Sequence, residues 1–317
     1  MRFSTGTATL LALGLIAGTV QAAEYPERAI QLINPNSPGG GTDIGILTWQ
    51  PHMEKCLGAN VAMISVPGGT GAVGFTQLAT SKADGYTVGS LNMPQFVTNT
   101  IVRKAAWNVD SVEYLGSLIG QSPMAVVKKG GQFKTLADFT KFAQNSKAPV
   151  NVGVGGLGAA AHLVALRYMK LIKANFNFIP FGDGNAARNG ILGNHVEITF
   201  ISDNETQPFK DDLMPLAVSG KKRAGAFPDV PTFGELGHDI TFANTHIIGA
   251  PKGTPAPALA KWRKCINETA TNPAFLADID KRGVALAILT AEEAEAMVRQ
   301  QEKVFQDMWK EEPWLKQ

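Results

Sequence analysis

Ile30-Gln31-Leu32-Ile33-Asn34-Pro35-Asn36-Ser37-Pro38-Gly39-Gly40-Gly41-Thr42-Asp43 reads as a short apolar strand that breaks into a Pro/Gly turn. Beyond the turn, Ile46, Trp49, Met53, Cys56 and Leu57 recur at helical spacing, the stripe of a helix laid on a sheet. The unit then repeats. A strand over 61–66 runs through Pro67-Gly68-Gly69-Thr70-Gly71-Ala72-Val73-Gly74 into a helix reaching Leu78, and Asp84-Gly85 turns into a strand over 86–91. Strand, glycine turn, helix and strand again is the grammar of βαβ units, which predicts an α/β fold on a mostly parallel sheet.

A second set follows. A strand at 123–128 precedes Thr135 and Asp138, spaced to cap a helix carrying Leu136, Phe139 and Phe142. A strand at 150–154 enters another glycine-rich loop, and a helix (159–172), strand (176–181), helix (186–192) and strand (196–201) complete the half. The tail returns to helices, one with the stripe Leu259, Trp262, Ile266 and one opened by Thr290 and Glu293 as a capping box. A chain of 317 residues favours two domains over one. The division read here is a signal peptide at 1–22, a first domain from 23–122 plus 244–317, and a second from 123–243. No linker-like stretch separates the halves, so the crossings between them are expected to act as hinges.

Residues 1–23 carry one charge, Arg2, then an apolar run near Leu10–Ile16, then small residues ending Val20-Gln21-Ala22. That is the pattern of a secretory signal peptide, with cleavage expected after Ala22 and a periplasmic address for the mature chain. The apolar run is shorter than the roughly 20 residues that span a bilayer.

Apolar residues make up 44% and charged residues 18%, which excludes a disordered chain. With 29 Lys and Arg against 27 Asp and Glu and no basic run, nothing suits a nucleic acid partner. Two cysteines and five histidines are too few for a disulfide scaffold or a Cys-rich zinc module, and no metal is expected. Cys56 and Cys265 lie on apolar helix faces; export permits a disulfide between them, and two buried thiols are the alternative.

The chemistry concentrates in two strand-to-helix turns, Ser37 to Thr42 and Gly153 to Ala160. The first turn of a helix has unpaired N–H groups and a partial positive charge, so it attracts carboxylate or phosphate, and glycine lets a ligand reach the peptide groups. Each charge-assisted hydrogen bond is worth about 1.5–3 kcal/mol, so a few of them support micromolar binding without an arginine. Gly153-Val154-Gly155-Gly156-Leu157-Gly158 also matches G-x-G-x-x-G, with Asp183 after the next strand, which leaves an exported NAD-binding oxidoreductase as the alternative. No catalytic constellation is found: Ser219-Gly220-Lys221-Lys222 satisfies S-x-x-K, but no G-x-S-x-G elbow exists. His52 has only Cys56 near it as a second metal donor, and His162 opens the helix after the second loop. Neither an enzymatic role nor a cofactor is expected.

The series Pro38-Gly39-Gly40-Gly41-Thr42-Asp43, Pro67-Gly68-Gly69, Ala83-Asp84-Gly85-Tyr86-Thr87, Phe227-Pro228-Asp229-Val230-Pro231-Thr232 and Ala250-Pro251-Lys252-Gly253-Thr254-Pro255 resembles the Bug (TctC-like) receptors over nearly the whole mature chain. These are the solute-binding subunits of tripartite tricarboxylate transporters. The resemblance implies a two-lobed periplasmic binding protein of the type II Venus flytrap kind, with a small di- or tricarboxylate in the cleft between the lobes, bridging waters, and delivery by a monomer to a membrane permease of one large and one small subunit. By position it implies a first carboxylate loop of Ser37, Pro38, Gly39, Gly40, Gly41 and Thr42 and a second of Gly155, Gly156, Leu157, Gly158, Ala159 and Ala160. Asn92 matches the lip after the third strand, Phe181 an aromatic position before a glycine, and Asp203-Asn204 a crossover facing the cleft. The chain departs from the family at Ala159-Ala160-Ala161, where Ser or Thr hydroxyls are common, and near Thr245-His246, where an aromatic is frequent. Recognition by the second loop is then left to backbone N–H groups and water. Arg188 is read as an exposed helix residue.

Overall fold

The computed structural model describes residues 25–311 together with Pro313 and Trp314. The signal peptide read at 1–22 lies outside the described residues.

The opening strand β1 (Ile30–Asn34) pairs in parallel with β2 (Val61–Ser65) and β3 (Thr87–Met93). Helices α1 (Gly41–Leu57) and α2 (Ala72–Thr80) make the crossovers. Alternation along β1 sends Leu32 to one face and Ile33 to the other. Leu32 joins Trp49 and Met53 of α1, while Ile33 joins Phe75 of α2. After α3 (Gln95–Val102), β4 (Val112–Gln121) continues the sheet. The chain then leaves through a single residue, Ser122, for β5 (Pro123–Lys128) of a second sheet.

That second sheet is built from β5, β6 (Val150–Val154), β7 (Phe176–Pro180), β8 (Ile198–Ser202) and β9 (Leu213–Val218), in the order β7-β6-β8-β5-β9. Helices α4 (Leu136–Asn145) and α5 (Ala160–Ile172) cover one face through Phe139 and Tyr168, and α6 (Gly184–Leu192) covers the other through Ala187 and Ile191. A short helix α7 (Asp203–Thr206) follows β8. Past β9 the chain returns to the first sheet as β10 (Asn244–Pro251), followed by α8 (Ala256–Ala270), α9 (Pro273–Arg282), β11 (Ala285–Leu289) and α10 (Ala291–Glu311). The first sheet has the order β11-β4-β10-β3-β1-β2.

The βαβ units pair in parallel as expected, but the sheets are mixed rather than mostly parallel. β10 runs antiparallel to β3 and β4, and β5 antiparallel to β8 and β9. The reason is topological. β1 to β3 in one lobe and β6 and β8 in the other end at the boundary between lobes, whereas β10 and β5 arrive from the opposite lobe and must begin there. Each arriving strand therefore runs against the neighbours it meets. β4, β9, β10 and β11 and helix α9 carried no punctuation as clear as the glycine turns.

Cys56 of α1 and Cys265 of α8 are joined as a disulfide with 5.6 Å between Cα atoms. The bond closes a loop that contains the entire second lobe. The capping boxes at Thr135/Asp138 and Thr290/Glu293 form through reciprocal side-chain and backbone bonds.

Candidate functional site

Helices α1 and α5 begin at the boundary between lobes, and neither N-cap, Gly40 or Ala159, offers a side-chain cap. Helices α4 and α6, by contrast, satisfy their first turns with Thr135 and Asp183. Open N–H groups from the two lobes thus face one cavity of about 70 Å³, which continues outward into a groove of about 520 Å³ beside Thr70, Leu157 and Arg103.

The first turn is organised from behind. Ser90 donates to Asn92 Oδ1 (2.8 Å), which orients the Asn92 amide to donate to the Thr42 hydroxyl (2.6 Å), and Asn36 Nδ2 donates to the same oxygen (2.8 Å). With both lone pairs engaged, Thr42 keeps its proton for an acceptor in the cavity. Asp43 Oδ2 accepts from the Gly39 N–H at 3.0 Å and fixes the loop. In the second turn, His162 Nδ1 accepts from the Gly158 N–H (3.1 Å); burial pulls this histidine down to about 3, so it is a neutral acceptor.

Three amides complete the wall. Asn244 Nδ2 and Ser202 Oγ both donate to Gln121 Oε1 (2.8 and 3.2 Å), which leaves Gln121 Nε2 and Asn244 Oδ1 without partners. Gln95 Oε1 is unpartnered as well. These residues are only 4%, 8% and 9% exposed for Gln121, Asn244 and Gln95, and all three line the cavity. A buried polar atom without a partner costs about 1–3 kcal/mol, so such a wall is built to receive a polar molecule or water.

Of the residues singled out from the sequence, Ser37, Gly40, Gly41, Thr42, Gly155, Gly156, Ala159 and Ala160 line the cavity, and Leu157 lines the outer groove. Pro38 is exposed on the far side of its turn, and the Gly39 carbonyl accepts from Asn185 Nδ2 of the second lobe (3.0 Å). Asn92 stands behind Thr42. The Gly158 carbonyl accepts from Thr98 across the lobes at 2.9 Å. The Phe181 ring packs over Gly190, away from the cavity. Asp203 is buried, accepting from the Ser122 and Asn204 N–H groups (3.2 and 2.9 Å), and burial raises its carboxyl to about 7. Arg188 is corrected: it is half-buried, donating to Asn185 Oδ1 (2.9 Å) and stacking its guanidinium over Phe209 at 3.9 Å. His52 pairs with Asp278 at 2.9 Å.

Sequence reasoning missed Gln95, Gln121, Ser202, Glu205 and Asn244 as cavity residues, and saw in Asp183 only a ribose acceptor. Gln121 and Asn244 end or begin strands that cross between lobes, 123 positions apart, and no local pattern marks them.

The profile of the tripartite tricarboxylate transporter family receptors, TctC, matches residues 48–312. The chain belongs to this family. It is 28% identical over 294 residues to Protein BugT of Bordetella pertussis, a match covering 89% of each chain. The solved structure of the periplasmic binding protein BugD superposes with a TM-score of 0.82 at 26% identity, covering 92% of this chain and 100% of the other. MatC of Rhodopseudomonas palustris, solved with bound malate, shares the fold at a TM-score of 0.80 and 19% identity, covering 89% and 99%. This TctC-family receptor is thus a two-lobed α/β periplasmic binding protein, a solute-binding protein and not an enzyme. The dinucleotide alternative meets a physical obstacle here, since Gly158 of the fingerprint is spent on the contact with Thr98 and Asp183 caps α6.

Proposed function

We propose that this receptor captures a small carboxylate between its lobes in the periplasm and, as a monomer, presents it to the two-subunit permease of a tripartite tricarboxylate transporter. The observation that carries the reading is the convergence of two uncapped helix starts, α1 and α5, on one cavity walled by unpartnered amides. Helix N-termini favour anions, and the hydroxyl proton of Thr42 adds a third kind of donor. That MatC holds malate supports a carboxylate as the solute class. The leader at 1–22 supports the compartment.

The two lobes, 23–122 with 244–317 and 123–243, act as domains that close about Ser122 and the segment between β9 and β10. A carboxylate touching both helix starts binds the closed arrangement better than the open one and shifts the population toward it. The permease reads that shape.

The test is thermal unfolding and calorimetry of ligand-stripped protein against a panel of carboxylic acids, with NAD(H) as control. A ligand that binds only the native state stabilises it by RT ln(1 + [L]/Kd). Stabilisation by at least one acid and none by NAD(H) is expected; stabilisation by NAD(H) alone overturns the reading.

A further inference from the structure

The second glycine loop rests against a residue that lies just past the last helix. Trp314, three positions beyond the end of α10, is 7% exposed and shares a buried apolar cluster with Phe96 and Val97 of α3, Phe305 of α10, and Leu163 and Leu166 of α5. A core of the first lobe thus takes in two residues of the second. The indole stands edge-on to Trp309, with 4.9 Å between ring centroids.

Gly158 sits in a notch made by two first-lobe groups. Its φ of +82° favours glycine, its carbonyl accepts from the Thr98 hydroxyl at 2.9 Å, and a Cβ there would stand 3.1 Å from Thr98 Oγ1 and 3.3 Å from Trp314 Nε1. The Gly158 N–H in turn donates to His162 Nδ1 at 3.1 Å, inside the first turn of α5. Trp314 therefore bears on the residue that shapes the start of α5, where the uncapped N–H groups face the cavity.

Nothing polar locks the indole in place. Trp314 Nε1 is buried without a partner, although a tryptophan N–H normally finds an acceptor when buried. Packing holds the contact, and the desolvated N–H opposes it. Beside the same seam lies a cavity of about 250 Å³, with Leu166 of α5, Phe242 of the crossing segment and Met308 of α10 on its wall. Close-packed interiors resist sliding, and a void of this size leaves the two helices room to shift.

We propose that Trp314 is a positioning residue for the solute. From beyond α10 it clamps Gly158, holds the start of α5 toward the cavity, and sets how long the closed arrangement lasts. The clamp adds apolar contact to the polar bonds Thr98–Gly158 and Asn185–Gly39 that also join the lobes. This rests on the carboxylate reading above and extends it to release of the solute.

The test is hydrogen exchange on the unliganded full chain, followed by stopped-flow release of the best acid in the panel. Trp314→Ala is expected to speed exchange over 156–166 by about tenfold, since truncating a buried aromatic loosens what it packs on. Helix α4, in the same lobe but away from the seam, should exchange as in wild type. Release should quicken by a similar factor with association little changed, because changes at an interface fall mainly on dissociation. Trp314→Phe keeps a buried ring and is expected to stay within about threefold of wild type on both measures. Should Trp314→Ala fail to fold, Trp314→Leu takes its place. Exchange over 156–166 that matches wild type, exchange that rises equally in α4, or release that is unchanged overturns the inference and leaves the carboxylate reading intact. If wild type binds no acid at all, that reading falls, and exchange alone decides whether Trp314 holds the loop.

Discussion

Asn204 of the second lobe donates its side-chain amide to the carbonyl of Gly41 in the first turn of α1, at 2.9 Å. The contact joins residues 163 positions apart in different lobes, behind the Gly41 stretch of the cavity wall, so it exists only while the lobes touch. It also explains Gly41: a Cβ there would meet Asn204 Oδ1 at 2.7 Å and collide with Gln121 Nε2. Asn204→Ala removes one buried neutral hydrogen bond, worth about 0.5–1.5 kcal/mol, from the closed arrangement. Binding of the best acid in the panel is expected to weaken by about two- to tenfold, and small-angle scattering of the unliganded protein should show a larger radius of gyration. Unchanged affinity and unchanged scattering would remove Asn204 as a latch.

Gly156 brings the second loop against the first lobe, where a Cβ would stand 2.8 Å from Thr70 Oγ1 and 3.0 Å from Thr70 Cγ2. Gly156→Ala is therefore expected to prop the lobes apart, and Gly156→Asp to add repulsion of the bound acid. Affinity by calorimetry should fall about tenfold for Ala and further for Asp, on the scale of about 1–3 kcal/mol for overpacking, with little change in unliganded melting temperature. Binding of Gly156→Asp at the wild-type level would exclude the second loop from the site.

The pH dependence of stability has a nameable source in Asp203, whose carboxyl burial raises from 3.8 to about 7. Between these values the native state keeps a proton that the unfolded chain has lost. This contribution is full below pH 3.8, is lost as pH rises through about 7, and is level above. Asp203→Asn retains the acceptor for the Ser122 and Asn204 N–H groups and removes the titration. The melting temperature of the variant relative to wild type is expected to climb by several degrees from pH 4 to pH 8. His162 and His246, both pulled down to about 3 by burial, act in the opposite sense below pH 6.5 and cancel in the difference. A difference that does not vary with pH would mean that Asp203 is ionised throughout.

The Cys56–Cys265 disulfide closes a separation of 209 residues. On the chain-entropy account such a closure contributes up to about 5 kcal/mol, with measured values commonly about 2–4. Reduction, or the double substitution Cys56→Ser with Cys265→Ser, is expected to lower the melting temperature by roughly 5–15 °C. Both cysteines lie outside the cavity wall, so affinity should hold. Equal melting curves with and without reductant would show that the bond adds nothing.

Glycine turns and helix caps were readable because their causes are local. Gly39-Gly40-Gly41 announces a strand-to-helix turn within a few residues of itself, and Thr135 finds Asp138 one helical turn away. The direction of β5 and β10 was not readable, because it depends on which lobe each strand comes from. The positions of Asp203 and Phe181 relative to the cavity followed from packing: Asp203 turned to the buried backbone at Ser122, and Phe181 to the gap above Gly190.

From the order of amino acids came the alternation of strands and helices, two helix starts without side-chain caps, and a charge balance unsuited to nucleic acid. Each depends on neighbours in the chain. The tertiary structure decided that these starts share one cavity, that Gln121 and Asn244 meet there with unspent hydrogen-bonding atoms, and that Asp183 and Glu205 are the ionisable residues on its wall among the described residues. Those facts depend on residues brought together across two separate sheets, and no window of sequence contains both partners.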